Sequence, residues 1–141
     1  MDMQVRPVVE AATAILLRPS VAGAHQVLLV QRSSTSSVFP SHFVFPGGLV
    51  EPEDQSPAWN GESRYKVAVL RETFEETGII LLRNDSQSES SLLSGFHSRD
   101  LSEMRKVVRN APSEFPALFA DLCLSPDLSG LHPWSRWYEF L

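Results

Sequence analysis

The sequence predicts a mixed α/β (α+β) domain. Two apolar runs rich in Val, Ile and Leu, at residues 8–19 and 26–33, predict two strands that are joined by a loop at residues 18–25. A shorter strand is expected at residues 43–48, and a stretch of helical periodicity follows it. A chain of 141 residues with these elements can bury a real core, so it forms one domain or part of one.

The third strand, with the sequence FVFPGG, is expected to end abruptly. Pro46 removes a backbone donor, and Gly47 and Gly48 permit backbone angles that are closed to other residues. We therefore expect a glycine turn at this point, followed by a loop at residues 49–63.

The best-defined helix is predicted from about Ser63 to Thr77. At 100° per residue, Val67, Leu70 and Phe74 fall within a 60° arc, which predicts a stripe that faces the core. Gly78 follows the last charged turn and can adopt the left-handed conformation that ends many helices.

A second helical stretch is predicted at residues 99–123, with breaks near Pro112 and Pro116. Four of its apolar residues have helical spacing and are expected in the core: Leu101, Met104, Val107 and Val108. Trp134 and Trp137, near the end of the chain, are also expected to pack.

Composition excludes several classes of protein. The net charge of −5 gives no broad field that would attract a nucleic acid backbone, although a small anionic ligand stays possible if cations are bound. The single cysteine, Cys123, rules out a disulfide framework within the chain and favours a reducing compartment. No apolar run approaches the roughly 20 residues that span a bilayer, so we expect no membrane partner.

Three glutamates crowd one edge of the predicted helix. Glu72, Glu75 and Glu76 lie within about 100° of one another, opposite the apolar stripe. Like charges at these spacings repel by a few tenths of a kcal/mol per pair, and Arg71 relieves only part of that repulsion. We call these three glutamates the acidic edge.

Two interpretations of the acidic edge compete. In one, it is the solvated face of an amphipathic helix. In the other, the carboxylates converge on Mg²⁺ or Mn²⁺, hard cations that prefer oxygen ligands and that commonly sit between carboxylates and substrate phosphates. The order of a strand, a glycine pair, a loop and the helix favours the second, because a backbone carbonyl could then be aimed at the same place.

The motif resembles the box of the Nudix hydrolase family, G-x5-E-x7-R-E-U-x-E-E-x-G-U, in which U is apolar. Gly48 opens the match and RETFEETGI, at residues 71–79, closes it. The resemblance implies that Glu72, Glu75 and Glu76 are metal ligands and that Glu72 is also a candidate base. It further implies that Gly47 offers its carbonyl to the metal and that Arg71 holds the glutamates through charge-assisted hydrogen bonds.

The sequence departs from the family pattern in three ways. Asp54 stands where the family has Glu, which keeps the charge but shortens the reach. The arginine of the box is expected at position 62 but stands at 71, so the loop is nine residues longer. Thr73 occupies an apolar position. A longer loop on the surface costs little, and the helix carboxylates are all retained.

The longer loop and the helical segment 99–123 resemble the Nudix subfamily that includes peroxisomal coenzyme A diphosphatases. The resemblance implies one Nudix domain at residues 7–141, with its box at 48–79, built as an α/β/α sandwich around a mixed sheet. In that subfamily a further strand should begin near residue 131, so the sequence is expected to be an N-terminal part of the domain and the sandwich to be incomplete.

The function that the resemblance implies is hydrolysis of a pyrophosphate bond in a nucleoside diphosphate derivative, with coenzyme A or acyl-coenzyme A as the expected substrate and Mg²⁺ or Mn²⁺ as cofactor. Arg32, at the end of a predicted strand, is a candidate for binding substrate phosphate. An intracellular location in peroxisome, mitochondrion or cytoplasm is expected, with no targeting signal visible. The alternative is a non-catalytic remnant or an interaction protein that retains the box; the oligomeric state is left open.

Overall fold

The computed structural model describes residues 8–21, 23–83, 98–121 and 124–137. Within these ranges the short strands are β1 (Ala11–Thr13), β2 (Leu17–Pro19), β3 (His25–Val27), β4 (Val30–Gln31), β5 (Phe43–Val44) and β6 (Gly47–Leu49). The helices are α1 (Arg64–Thr77), α2 (Ser98–Asn110) and α3 (Phe115–Asp121), with 3₁₀ turns at Pro52–Gln55, Pro57–Trp59 and Pro112–Glu114. Strands thus precede helices along the chain.

The described strands form three antiparallel pairs, β1 with β6, β2 with β3, and β4 with β5. No parallel pair is present among the residues described. Each long apolar run, predicted as one strand, forms two short ones, because its halves pair with different partners. In the first run, β1 pairs with β6, whereas β2 turns back on β3 as a hairpin.

The glycine turn predicted after the third strand is wrong. Pro46 separates β5 from β6, and Gly47 and Gly48 begin β6 instead of leaving the sheet. Pro46 lacks an amide donor, but its carbonyl accepts the Ala14 amide at 2.9 Å and so extends the pairing with β1. Gly47 has φ +149°, and a Cβ there would lie 2.6 Å from Cα of Thr13. Its missing side chain is therefore what lets the two strands approach.

The predicted helix and its apolar stripe are confirmed. Helix α1 follows Ser63 and ends at Gly78, which has φ +78° and donates its amide to the carbonyl of Phe74 at 2.8 Å. Val67, Leu70 and Phe74 are fully buried. They face the core, which is closed by side chains from the second half of the chain.

Aromatic rings form the centre of this core. Phe115 stacks on Phe74 with a centroid separation of 6.0 Å, and Phe119 contacts Phe115 edge-on at 5.2 Å. Trp59, from the 3₁₀ turn before α1, lies 5.6 Å from Phe115. Val108 and Leu128 complete the cluster. The core therefore packs α1 against α2 and α3.

The predicted helical segment is interrupted near Pro112, as expected, where a 3₁₀ turn separates α2 from α3. Pro116 lies in the first turn of α3, where no helical amide bond is lost, and so does not break it. The predicted Cys123 end lies outside the described residues.

Two packing predictions near the end of the chain need correction. Val107 is 51% exposed, because the core side of α2 is already occupied by Leu101, Met104 and Val108. Trp134 and Trp137 are 88% and 85% exposed, because residues 132–137 form neither helix nor strand and lie at the surface. In the part of the chain that the structure describes, no helix is both long and apolar enough to cross a membrane.

Candidate metal and diphosphate site

The acidic edge of α1 lies against the sheet. Helix α1 packs on β6 and β1, so the side chains of Glu72 and Glu75 are only 17% and 9% exposed, whereas Glu76 is exposed. Glu72 and Glu75 are therefore not on a solvated face. Their burial raises the question of what compensates two carboxylates there.

Arg71 provides that compensation. Its Nη1 donates to Glu72 Oε1 at 3.0 Å and to Glu75 Oε1 at 2.9 Å. Nε and Nη2 donate to the two carboxylate oxygens of Asp54, both at 3.0 Å, and Nη2 also donates to the carbonyl of Leu49 at 2.9 Å. One guanidinium thus joins both carboxylates of α1 to β6 and to the preceding loop.

Burial of Arg71 would by itself lower the pKa of its guanidinium. The hydrogen bonds to Asp54 and Glu75, with the charges of Asp54 and Glu72, more than offset this and raise the pKa above its ordinary value. Arg71 is therefore a fixed positive charge within the site.

Asp54 is a site residue whose role sequence reasoning missed. Its side chain is 1% exposed and forms the two-pronged ion pair with Arg71. The 3₁₀ turn Pro52–Gln55 carries it inward, and the Glu51 amide donates to Asp54 Oδ2 at 2.8 Å. The shorter side chain therefore still reaches the arginine. The signal in the sequence is that Asp54 stands at the acidic position of the box.

The free edge of β6 supplies backbone groups to the site. The Ala14 amide donates to the Pro46 carbonyl, and the Val50 amide donates to the Glu10 carbonyl. In an antiparallel pair of strands, residue pairs that exchange hydrogen bonds alternate with pairs that do not. By this alternation Gly47 and Leu49 direct their backbone groups away from β1. The Leu49 carbonyl accepts from Arg71, and the Gly47 amide donates to Glu76 Oε2 at 3.1 Å.

The two glycines have different roles here. Gly47 contributes its amide to Glu76, and by the same alternation its carbonyl lies on the edge that faces α1. Gly48 leaves room for Glu72, because a Cβ at position 48 would lie 2.5 Å from the Glu72 carboxyl carbon. The predicted role of the Gly47 carbonyl as a metal ligand stays a prediction.

Two carboxylates of the acidic edge are electrostatically strained. Loss of water around the carboxylates raises the pKa of Glu72 and of Glu76 above the ordinary glutamate value, at Glu76 because its carboxylate lies against β6 although the residue as a whole is exposed, and repulsion from Glu75 adds to both shifts. The charge of Arg71 opposes the shift at Glu72, and the Gly47 amide and the charges of Arg32 and Arg109 oppose that at Glu76. A bound cation would relieve the remaining strain.

The donor set fits a hard divalent cation, but it is not assembled as a closed cage. Among the described residues no three acidic, His or Cys side chains lie close enough together to hold a metal ion. Glu72 and Glu75 are directed to Arg71, whereas Glu76 is directed to Gly47. These bonds engage one oxygen of each carboxylate, so three carboxylates and the edge of β6 provide oxygen donors of the type that Mg²⁺ and Mn²⁺ accept.

Arg32, the predicted phosphate ligand, lies near this edge. Its guanidinium donates to Ser36 Oγ at 2.9 and 3.2 Å, and its charge opposes the upward shift of the Glu76 pKa. Its role in substrate binding stays a prediction.

Two arginines of α2 also reach the site, and sequence reasoning did not find them. Arg105 donates to the backbone carbonyls of Glu75 and Glu76, and Arg109 donates to that of Glu75 at 2.6 Å. Their spacing of four residues puts them on one face of a helix, but nothing in the sequence shows that this face meets α1.

The sequence that forms this site matches a known protein family. Residues 60–140 match a family model described as the NUDT19 Nudix domain. The acyl-coenzyme A diphosphatase NUDT19 of Gallus gallus is 31% identical over 80% of this chain, and that of Homo sapiens is 26% identical over 85%. The chain spans 42% and 44% of the length of these two relatives.

A solved structure supports the fold. The Nudix hydrolase from Alicyclobacillus acidocaldarius superposes with a TM-score of 0.65 at 22% identity, covering 88% of this chain and 59% of that one. The predicted Nudix-type α/β fold class is therefore confirmed.

Proposed function

This chain belongs to the NUDT19 Nudix domain family, and we propose that it is a divalent-metal-dependent hydrolase that cleaves a pyrophosphate bond in a nucleoside diphosphate derivative. The observation that carries the proposal is the acidic edge of α1, whose buried carboxylates are held against β6 by the guanidinium of Arg71. A structural helix face has no need of such crowding, whereas a site for cations and phosphates does.

The proposed substrate is coenzyme A or acyl-coenzyme A. Relatives that share 26–31% identity with this chain are named acyl-coenzyme A diphosphatases. Hydrolysis of the diphosphate in coenzyme A would give 3′,5′-ADP and 4′-phosphopantetheine. The exposed Arg32 is the residue proposed to meet a substrate phosphate, because its positive charge acts on the carboxylate of Glu76.

In this mechanism Glu72, Glu75 and Glu76 would hold Mg²⁺ or Mn²⁺, and the Gly47 carbonyl would be a further oxygen donor. What the bound metal supplies is neutralisation of the diphosphate charge and a lowered pKa for the attacking water. Arg71 fixes the glutamates of the site, and the Gly47 amide holds Glu76. Glu72 is the candidate base, since Arg71 engages only Oε1 of its carboxylate among the bonds described, which leaves Oε2 to accept the proton of the attacking water.

The test is hydrolysis of a panel by purified protein with Mg²⁺ or Mn²⁺. Coenzyme A, acyl-coenzyme A, ADP-ribose, NADH and dinucleoside polyphosphates are compared, and products are separated by chromatography. We expect turnover of coenzyme A or its acyl esters that falls at least about 100-fold in Glu75→Gln and Glu76→Gln. The matched control is Glu103→Gln, which removes an exposed carboxylate from α2, in a pair with Lys106, and should leave turnover unchanged.

The outcomes separate the candidate functions. Preference for another member of the panel would overturn the substrate but not the reaction. Absence of turnover for every member, by a folded protein, would contradict the enzyme proposal and favour a non-catalytic remnant or an interaction protein.

A further inference from the structure

The last turn of α1 leaves two backbone carbonyls without helical partners. Gly78 ends the helix, and the Ile79 amide donates to the Thr77 hydroxyl at 3.0 Å, so it does not bond to the carbonyl of Glu75. The carbonyls of Glu75 and Glu76 therefore belong to the orphan groups found at every helix C-terminus. The same two residues carry two carboxylates of the acidic edge.

The two α2 arginines satisfy both carbonyls. Arg105 Nε and Nη2 donate to the Glu75 carbonyl at 3.1 and 2.9 Å, and Nη2 also donates to the Glu76 carbonyl at 2.8 Å. Arg109 Nη2 adds a third donor to Glu75 at 2.6 Å. Positive charge at this end of a helix is also favoured by the helix dipole. We call Arg105 and Arg109 the arginine clamp.

We propose that the arginine clamp positions the carboxylates of Glu75 and Glu76 by fixing the backbone that carries them; this inference rests on the proposed function of the acidic edge. Each glutamate is held at both ends. Its carbonyl is bound by the clamp, and its carboxylate is bound by Arg71 or by the Gly47 amide. Without the clamp, the last helical turn frays most easily, and the carboxylates move with it.

Arginine is required here for geometric reasons. A single guanidinium spans two successive carbonyls, which a lysine ammonium on a flexible stem does not reproduce. Gly78 leaves the space, since a Cβ there would lie 3.3 Å from Arg105 Cδ. The helical segment inserted after the box thereby acts on the box itself.

The test uses the whole chain and the variants Arg105→Gln, Arg109→Gln, their combination and Arg105→Lys. The matched control is Lys106→Gln, which removes one positive charge from the same helix, where Lys106 contacts only exposed Glu103 among the contacts described. Thermal melting identifies the temperature at which every variant is folded. Amide hydrogen exchange, Mn²⁺ affinity without substrate, and kcat and KM are then measured at that temperature.

The most specific readout is exchange of the Gly47 amide. That proton is bonded to Glu76 Oε2, on β6, and not to the clamp. We expect the double variant to lose its protection, to bind Mn²⁺ about 10- to 100-fold more weakly and to lose kcat to a similar extent, with KM little changed. Arg105→Lys keeps the charge but cannot span both carbonyls, so it should lose less than Arg105→Gln without reaching the wild-type values, and Lys106→Gln should match wild type.

Unchanged protection of the Gly47 amide and unchanged Mn²⁺ affinity in the folded double variant would contradict the role of the clamp. An equal loss of protection and affinity in Lys106→Gln would also contradict it, because it would indicate a general effect of charge. The failure of the proposed function is seen separately. If the wild-type chain hydrolyses no diphosphate, the proposed enzyme activity is refuted. Hydrogen exchange of the Gly47 amide in the variants still tests whether the clamp positions Glu76.

Discussion

At the scale of single residues, the guanidinium of Arg71 sets the stability of the site as well as its shape. Its side chain is 3% exposed and that of Asp54 is 1% exposed. Two buried charges are tolerated because each is the partner of the other and because the remaining donors of Arg71 are also bonded. Loss of one partner leaves the other charge buried without compensation.

We therefore expect Asp54→Asn to lower the free energy of unfolding by about 3 kcal/mol, the lower end for breaking a buried pair, since Arg71 keeps Glu72 and Glu75. Urea denaturation measures the change. Glu103→Gln breaks an exposed pair and should change the free energy of unfolding by less than about 0.5 kcal/mol. Equal effects of the two substitutions would refute the buried pair as a source of stability.

Thr73 is a buried residue whose hydroxyl has no hydrogen-bond partner among the described residues. Valine has nearly the same shape without the hydroxyl, so Thr73→Val should raise the free energy of unfolding by about 1 kcal/mol. Thr77→Val is the matched control. The Thr77 hydroxyl donates to the Thr73 carbonyl and accepts the Ile79 amide, so its loss should destabilise the protein. A destabilised Thr73→Val variant would show that the hydroxyl is satisfied in solution.

Much of the site could be predicted at this scale, because a helix fixes the relative directions of its side chains. The crowding of Glu72, Glu75 and Glu76 follows from their spacing alone. Long-range partners do not follow from spacing. Asp54 approaches Arg71 only because a 3₁₀ turn brings it inward, and the arginine clamp depends on how α2 crosses α1.

At the scale of elements, α1 is confined on both sides. Its apolar stripe packs on the aromatic core, and its acidic edge packs on the free edge of β6. The helix was predictable, since its periodicity and Gly78 are local signals. The strands were less so, because a strand boundary depends on which partner each residue meets, and β1 and β2 meet different partners within one apolar run.

The C-terminal cap of α1 allows a prediction with an internal control. Gly78 and Gly61 share φ +78°, but a Cβ would meet Arg105 at position 78 and nothing within 4 Å at position 61. Both substitutions to alanine should destabilise the protein by about 1 kcal/mol, the penalty for a side chain at this φ. Gly78→Ala should also weaken Mn²⁺ binding, because its Cβ presses on the side chain of Arg105 in the arginine clamp.

Chemical denaturation and Mn²⁺ titration measure the two effects. If Gly61→Ala also weakened Mn²⁺ binding, the weaker binding in Gly78→Ala would be due to backbone strain and not to contact with Arg105. Unchanged Mn²⁺ binding in Gly78→Ala would show that the space Gly78 leaves for Arg105 does not affect the position of the carboxylates.

At the scale of the whole molecule, the two halves of the described chain differ in how well they are covered. The helical half has a buried aromatic and aliphatic cluster around Phe74 and Phe115, although Val107, Trp134 and Trp137 lie outside it. Apolar side chains of the strands stay exposed, among them Leu17, Val27 and Phe43. The sequence predicts the strands from these residues but does not determine what covers them, since alternation marks two faces without naming the partner of either.

The acidic edge makes the stability of the whole protein depend on pH and on metal. Desolvation of the two carboxylates raises the folded-state pKa of Glu72 and of Glu76 above the unfolded value of 4.5. The folded state then binds more protons than the unfolded state between these values. The stability that these groups contribute is therefore fully present below pH 4.5 and is lost as pH rises through the folded-state pKa.

We expect metal to reverse this loss. In metal-free protein the contribution of these two groups to the free energy of unfolding should fall as pH rises from about 4.5 through their folded-state pKa values, so wild type should lose stability over that range relative to Glu72→Gln with Glu76→Gln. At pH 7, Mg²⁺ or Mn²⁺ at 100 times its dissociation constant should stabilise wild type by about 2.7 kcal/mol and leave the double variant unaffected. Thermal and urea unfolding at several pH values, with and without metal, measure both effects. Equal stabilisation of the two proteins would locate the metal elsewhere, because only a cation bound at the acidic edge is lost together with these two carboxylates.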